Sequence, residues 1–330
     1  MTWLLFLSLS AAILWAGRYL ARYGDMLAEK TGMGRTWIGL VLVAATTSLP
    51  EMFTGIGSTA LFNLPEIAVG DVLGSCMFNL FILSMLDAVG GKVPLSTRMG
   101  PGHGLSIGFG CILMGITGIS LIAGNRVPSI GWIAVSTPVL LLVYLSAIRM
   151  SFQYEKRLAK VRAEHLAEEL QYENIPLRSI LLRYGAAAAV VVSAAIYLPH
   201  LGEAIAQETG LGQGLVGTLF IAVATSLPEV AVSIAAVRMG SIDLAVGNVL
   251  GSNLFNILVL AIDDILYRPG PLLASVGPQH LIAVLAVLAM YGIVLTGITL
   301  QIAEKRVVIA WDALAIAAFY VVTIVMYLKF

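Results

Sequence analysis

The sequence predicts an all-α polytopic membrane protein of about ten transmembrane helices in two inverted five-helix repeats. Three observations lead there. The 330 residues are 59% hydrophobic and only 12% charged, with a mean hydropathy of +0.93, whereas soluble domains carry roughly 25% charged residues. One phrase occurs twice, 178 residues apart: TGMGRTWIGLVLVAATTSLPE at 31–51 and TGLGQGLVGTLFIAVATSLPE at 209–229, identical at 10 of 21 positions. Lys and Arg are distributed unevenly over the loops between apolar stretches.

Those stretches fall near 3–22, 36–60, 67–89, 104–123 and 130–149, and again near 181–200, 213–238, 244–265, 280–299 and 306–328. Each approaches the roughly 20 residues that cross a bilayer. The first, TWLLFLSLSAAILWAG, has no basic segment before it and reads as a membrane helix, not a cleaved signal. The second and seventh contain Pro50 and Pro228. A proline inside a helix frees a carbonyl one turn back and bends the chain, so free carbonyls are expected between Ala44 and Thr47 and between Ala222 and Thr225. The third and eighth carry a second repeated phrase, AVGDVLGSCMFN at 68–79 and AVGNVLGSNLFN at 245–256. Gly70, Gly74, Gly247 and Gly251 in these phrases allow a neighbouring backbone close. Asp87 and Asp264, at the ends of the same stretches, read as interfacial caps. The polar run 150–178 has mixed charge and Pro176 as a stop. It reads as a partly helical linker, giving a first five-helix unit over 1–149 and a second over 179–330.

Orientation follows from the positive charges. With the N-terminus outside, 16 of the 19 Lys and Arg residues fall in inner loops, and only Arg126, Arg268 and Lys329 lie outside. Both termini are then expected outside, the linker in the cytoplasm and the protein in the plasma (inner) membrane. Five passes per half is an odd number, so the second half enters the membrane in the opposite sense. Inverted repeats place binding sites near the midplane, where interrupted helices meet.

Glu51 and Glu229 close the two copies of T-S-L-P-E inside apolar segments. An ionisable group there costs at least about 2.5–3.5 kcal/mol and marks a functional position by default. Thr47, Ser48, Thr225 and Ser226 stand beside them as hard oxygen donors. Asp71, Ser75 and Asn79 recur at intervals of four, as do Asn248, Ser252 and Asn256, which keeps each trio on one helix stripe. Asp71 and Asn248 sit one to two turns from the expected centre. Carboxylates, amides, hydroxyls and carbonyls with no His or thiolate among them select hard cations: Ca²⁺ takes six to eight oxygens, and Na⁺ accepts the same donors. His103, His165, His200 and His280 fall at helix ends or in the linker, where surface roles are expected. Cys76 and Cys111 read as small buried hydrophobes. Zero net charge without a basic face excludes nucleic-acid binding.

These duplicated motifs resemble the alpha repeats of the sodium/calcium exchanger family, within the calcium/cation antiporter superfamily. The resemblance covers about 31–86 and 209–263, and the ten-helix layout covers nearly the whole chain. It implies a secondary antiporter, not an enzyme, exchanging Na⁺ for Ca²⁺ by alternating access, with no cofactor and no obligate protein partner. By motif position, Glu51 and Glu229 would be the central carboxylates shared by Ca²⁺ and Na⁺. Thr47, Ser48, Ser75 and Asn79 would complete one half, and Thr225, Ser226, Ser252 and Asn256 the other, with backbone carbonyls near Ala44 and Ala222. The helices of the first and sixth stretches would slide or rock against this centre. Two positions depart from the pattern: some relatives have Asp where this chain has Asn256, and Asp71 stands where Asn is common. H⁺-driven Ca²⁺ exchange is the nearest alternative, since a carboxylate removed from water holds a proton more tightly. A passive cation channel and an intramembrane aspartyl protease are more distant. Against the protease, residue 68 is Ala and the repeat partner of Asp71 is Asn248.

Overall fold

The structure is a computed structural model and describes residues 1–30, 44–162, 175–305 and 307–329. Residues 36–43 of the second apolar stretch and 163–174 of the expected linker, with His165, lie outside the described residues. Helices hold 82% of the described residues. Among the described residues, six are long and apolar enough to cross a membrane, or seven if the bent pair Gln213–Thr225 plus Leu227–Arg238 counts as one span.

In chain order the helices are α1 (Thr2–Lys30), α2 (Ala44–Thr47), α3 (Leu49–Ile56), α4 (Pro65–Val89), α5 (Leu95–Arg98), α6 (His103–Ala123) and α7 (Ser136–Arg162). They continue as α8 (Leu177–Thr209), α9 (Gln213–Val216), α10 (Ala222–Thr225), α11 (Leu227–Arg238), α12 (Ile242–Leu266), α13 (His280–Leu300) and α14 (Trp311–Tyr327). Pro65 stands at the first position of α4, where its missing N–H has no helical partner to lose. Gly210 ends α8 in the left-handed region at φ 74°, as glycine does without steric cost. The fifth apolar stretch differs from expectation. It opens as a short antiparallel hairpin, Ser129–Ile130 with Ile133–Ala134, turning at Gly131 with φ 66°. Its helix then runs beyond the apolar part to Arg162, because the charged residues that follow are good helix formers.

Packing divides the helices into two groups. Side chains of α4, α6, α7, α12, α13 and α14 share one large apolar core. The long helices α1 and α8 pack along each other and fill two smaller clusters. The interrupted helices lie between the groups, α11 against α1 and α3 against α8. Contact there is close: a Cβ at Gly17 would sit 2.6 Å from Pro228 Cγ, and one at Gly57 would sit 2.7 Å from the Ile196 carbonyl oxygen.

The ends of the helices are tied by contacts that repeat at a constant interval. Glu66 accepts from Gly277 N (2.6 Å) and lies 2.7 Å from His280 Nε2. Asp243 accepts from Gly100 N (2.9 Å) and lies 3.0 Å from His103 Nε2. All three residue pairs are 177 positions apart, and each contact joins one half of the chain to the other. His103 and His280 are therefore buried, contrary to the surface role expected of them, because each reaches across to a carboxylate of the opposite half. His200 instead stacks on Phe62, with centroids 5.4 Å apart. Asp87 and Asp264 cap loops, as expected, though both are buried. Asp87 accepts from Leu95 N and Ala310 N, each at 2.8 Å. Asp264 accepts from Leu272 N at 2.7 Å and Ala134 N at 3.0 Å. Only Asp87 has a cation beside it among the described residues, Lys305 at 3.0 Å.

Candidate cation site

Both T-S-L-P-E segments break their helix in the same way. Ser48 has φ −87° and ψ 12°, and Ser226 has φ −86° and ψ 8°, the sparsely populated bridge region that favours turns and functional residues. α3 and α11 restart immediately afterwards with the proline at the second position and the glutamate at the third. The carbonyls set free lie inside the expected ranges but not at Ala44 and Ala222. Ala44 O and Ala222 O still accept from Ser48 N (3.0 Å) and Ser226 N (3.1 Å). Proline removes the donor four residues on, so Thr46 and Ala224 are the residues whose carbonyls receive no helical N–H.

Glu51 and Glu229 are both fully buried, and each is held by the other half. Ser226 Oγ donates to Glu51 Oε1 at 2.8 Å, and Ser48 Oγ donates to Glu229 Oε1 at 3.0 Å. The same crossing recurs one residue earlier. Thr225 Oγ1 donates to Asp71 Oδ1 at 3.0 Å, and Thr47 Oγ1 to Asn248 Oδ1 at 3.2 Å. Ser252 Oγ also reaches Glu229 Oε1, at 3.3 Å. Ser75 Oγ lies 3.1 Å from Ser226 Oγ and 3.4 Å from Ala222 O. Asp71 and Asn248 thus belong to the network itself, not to its margin as their sequence position implied. The reason is that α4 crosses α10, and α12 crosses α2, at those turns.

Several polar atoms of these residues have no partner. Glu51 Oε2, Glu229 Oε2, Asp71 Oδ2 and both side-chain polar atoms of Asn79 and Asn256 are buried with no hydrogen-bond partner. Buried polar groups are normally paired, and each exception calls for an explanation. Here the exceptions are oxygen-bearing carboxylates and amides at positions duplicated in the sequence, with fully buried Ser48, Ser75, Ser226 and Ser252 beside them. Sequence reasoning passed over Ser233, which accepts from Asn248 Nδ2 at 3.1 Å. It also passed over Asp263, fully buried with both oxygens unpartnered. Ser233 lies four residues beyond Glu229 on the same stripe, a spacing that could have revealed it. Asp263 has no repeat counterpart, since its equivalent is Leu86.

Known proteins share both the sequence and the fold. The family described as sodium/calcium exchanger protein matches residues 1–159 and 179–329. The Inner membrane protein YrbG of Escherichia coli (strain K12) is 27% identical over 247 residues, 74% of each chain. The Sodium/calcium exchanger MaX1 of Methanosarcina acetivorans is 24% identical over 93% of each chain. Among solved structures, the sodium-calcium exchanger NCX_Mj superposes with a TM-score of 0.65 at 19% identity, covering 98% of this chain and 99% of that one. The H⁺/Ca²⁺ exchanger CAX superposes with a TM-score of 0.72 at 12% identity, over 99% and 86%. Two broken helices, each presenting a buried glutamate to the other half, thus occur in a sequence that the family matches over residues 1–159 and 179–329: the chain belongs to the sodium/calcium exchanger protein family.

Proposed function

We propose that this protein is a secondary antiporter that moves Ca²⁺ one way and Na⁺ the other by alternating access. One observation carries the reading: Glu51 and Glu229 are each hydrogen-bonded through one oxygen by the other half's serine, while the second oxygen of each is unpartnered. Two carboxylates offset the charge of one Ca²⁺. Asn79, Asn256, the hydroxyls of Thr47, Ser48, Ser75, Thr225, Ser226 and Ser252, and the freed carbonyls of Thr46 and Ala224 supply the oxygens that replace its water. Asp71 and Asn248 orient the threonines. Two or more Na⁺ would replace the same charge, so the two loads compete. The names of MaX1 and NCX_Mj as sodium-calcium exchangers agree with this assignment.

The reading places ten passes in the membrane as two inverted units, 1–149 and 179–330, with the linker 150–178 in the cytoplasm and both termini outside. Contacts between loops support it. Lys305 N donates to Lys92 O at 3.0 Å, joining two loops expected on the inner face. Trp132 Nε1 donates to Ile265 O at 2.9 Å, and Arg268 lies 4.0 Å from the Trp132 ring, joining two loops expected outside. YrbG's description as an inner membrane protein agrees with a plasma (inner) membrane location. α1 and α8, with their own apolar clusters, would be the pair that slides across the fixed centre.

H⁺-driven exchange is the second reading, favoured by Asp71, a third buried carboxylate with one oxygen unpartnered. The experiment is ⁴⁵Ca²⁺ uptake into proteoliposomes under an imposed Na⁺ or pH gradient. Uptake driven by Na⁺ supports the first reading; uptake driven only by pH replaces it with the second.

A further inference from the structure

Asp263 is the buried acid that the central site does not use. It is fully buried, and neither carboxylate oxygen has a hydrogen-bond partner. Its electrostatic neighbours are Asp71 of α4 and its own neighbour Asp264, both acidic. Among the described residues no cation pairs with it. An unpaired carboxylate is one of the costliest groups to place in an apolar interior, and two like charges beside it add to that cost. Packing alone gives no reason for the group, and its repeat equivalent is Leu86.

Its position is informative. Seven residues separate Asn256 from Asp263, so at 3.6 residues per turn they lie within about 20° on one stripe of α12, roughly 10 Å apart. Ser252, Asn256 and Asp263 therefore form one polar line leading from the centre toward the C-terminal end of the helix. The opposing wall is α3. Gly55 lies one turn after Glu51, and a Cβ there would overlap both oxygens of Asp263. The carboxylate thus sits where two stripes converge, one leading from Glu51 and the other from Asn256.

We propose that Asp263 is a further subsite of the ion path, taking one monovalent cation, H⁺ or Na⁺, two turns from the Ca²⁺ centre. A divalent ion does not fit, because Ca²⁺ needs six to eight oxygens and this position offers one carboxylate. The proposal rests on the antiporter reading and adds a load that the duplicated motifs do not contain.

Two measurements on full-length protein test it, each with wild type, Asp263→Asn and Gly55→Ala, the last placing a methyl group where the carboxylate lies. In proteoliposomes, Ca²⁺/Ca²⁺ self-exchange should stay within about twofold in both variants. The concentration of driving cation for half-maximal ⁴⁵Ca²⁺ uptake should rise at least fivefold. A rise confined to the Na⁺ gradient assigns Na⁺, and one confined to the pH gradient assigns H⁺. In purified protein, ²²Na⁺ bound and protons released on Ca²⁺ addition are counted per chain, and Asp263→Asn should lose one of either. Unchanged counts and unchanged driven uptake overturn the proposal. So does loss of self-exchange together with driven uptake, which would make Asp263 structural. If wild type shows no coupled uptake but Asp263→Asn still loses one bound cation, the antiporter reading fails and this one stands.

Discussion

Ser48 and Ser226 each donate to the glutamate of the opposite half, so either hydroxyl tests the reciprocity of the site directly. Removing a hydrogen bond to a charged group costs about 1.5–3 kcal/mol. Ser48→Ala and Ser226→Ala should each raise the Ca²⁺ concentration for half-maximal exchange by roughly tenfold or more, and by similar factors, since their geometries match. Equal affinity in wild type and both variants would show that these bonds do not tune the carboxylates. Asn256 offers the complementary test, because its amide is buried without a partner. Asn256→Asp adds a charge at the centre and should change the number of Na⁺ exchanged per Ca²⁺, read from the reversal potential; an unchanged ratio would place Asn256 outside the ion cage. Which polar residues are buried around the helix breaks was legible because the chemistry is written twice: Glu51 with Glu229, Ser48 with Ser226, Asn79 with Asn256. Asp263 was not legible, since it has no second copy and stands beside the cap Asp264, where two acids at a helix end resemble an interfacial pair.

Between elements, the close contact of α3 with α8 differs in kind from the polar ties at the helix ends. Gly57 brings the turn after α3 against the Ile196 carbonyl of α8, and backbone cannot yield as a flexible side chain would. Gly57→Ala should therefore cost about 1–3 kcal/mol through overpacking, visible as a lowered Tm in detergent; an unchanged Tm would mean that α8 moves aside freely. At the other helix ends, Lys305 and Asp87 form a pair in which both side chains are only 2% exposed. Lys305→Met leaves the acid with its two backbone donors but no cation, and removing one partner of a buried pair costs about 3–5 kcal/mol. Thermal unfolding in detergent checks this, and a loss below 1 kcal/mol would show that the backbone donors suffice. Six or seven of the ten expected helical stretches were legible from hydropathy and length. The histidine contacts were not, because 177-residue spacing tells which positions correspond and not which ones touch. The hairpin at 129–134 was hidden because its residues are as apolar as the helix that follows.

Over the whole molecule, two sets of repeated contacts join one half to the other, serine to glutamate at the centre and histidine to carboxylate at the helix ends, while Asp87 with Leu95 and Asp264 with Leu272 repeat inside each half. The two halves form one structure around one site, which is how a chain with an odd number of passes per half would assemble if its repeats are inverted. Labelling tests that topology. With Cys76 and Cys111 replaced, single cysteines at Lys92 and Arg238 should react only from the cytoplasmic side, and those at Arg126 and Arg268 only from outside. All four positions are exposed. Reaction of Lys92 and Arg268 from the same side would remove the inversion.

The central claim is that two carboxylates, one from each half, carry Ca²⁺ in exchange for Na⁺. The measurement that reaches it most directly is Na⁺-gradient-driven ⁴⁵Ca²⁺ flux in proteoliposomes for wild type, Glu51→Gln and Glu229→Gln. Wild type should accumulate Ca²⁺ against its gradient, and each variant should fall to the level of protein-free vesicles. Normal exchange by both variants would contradict the account.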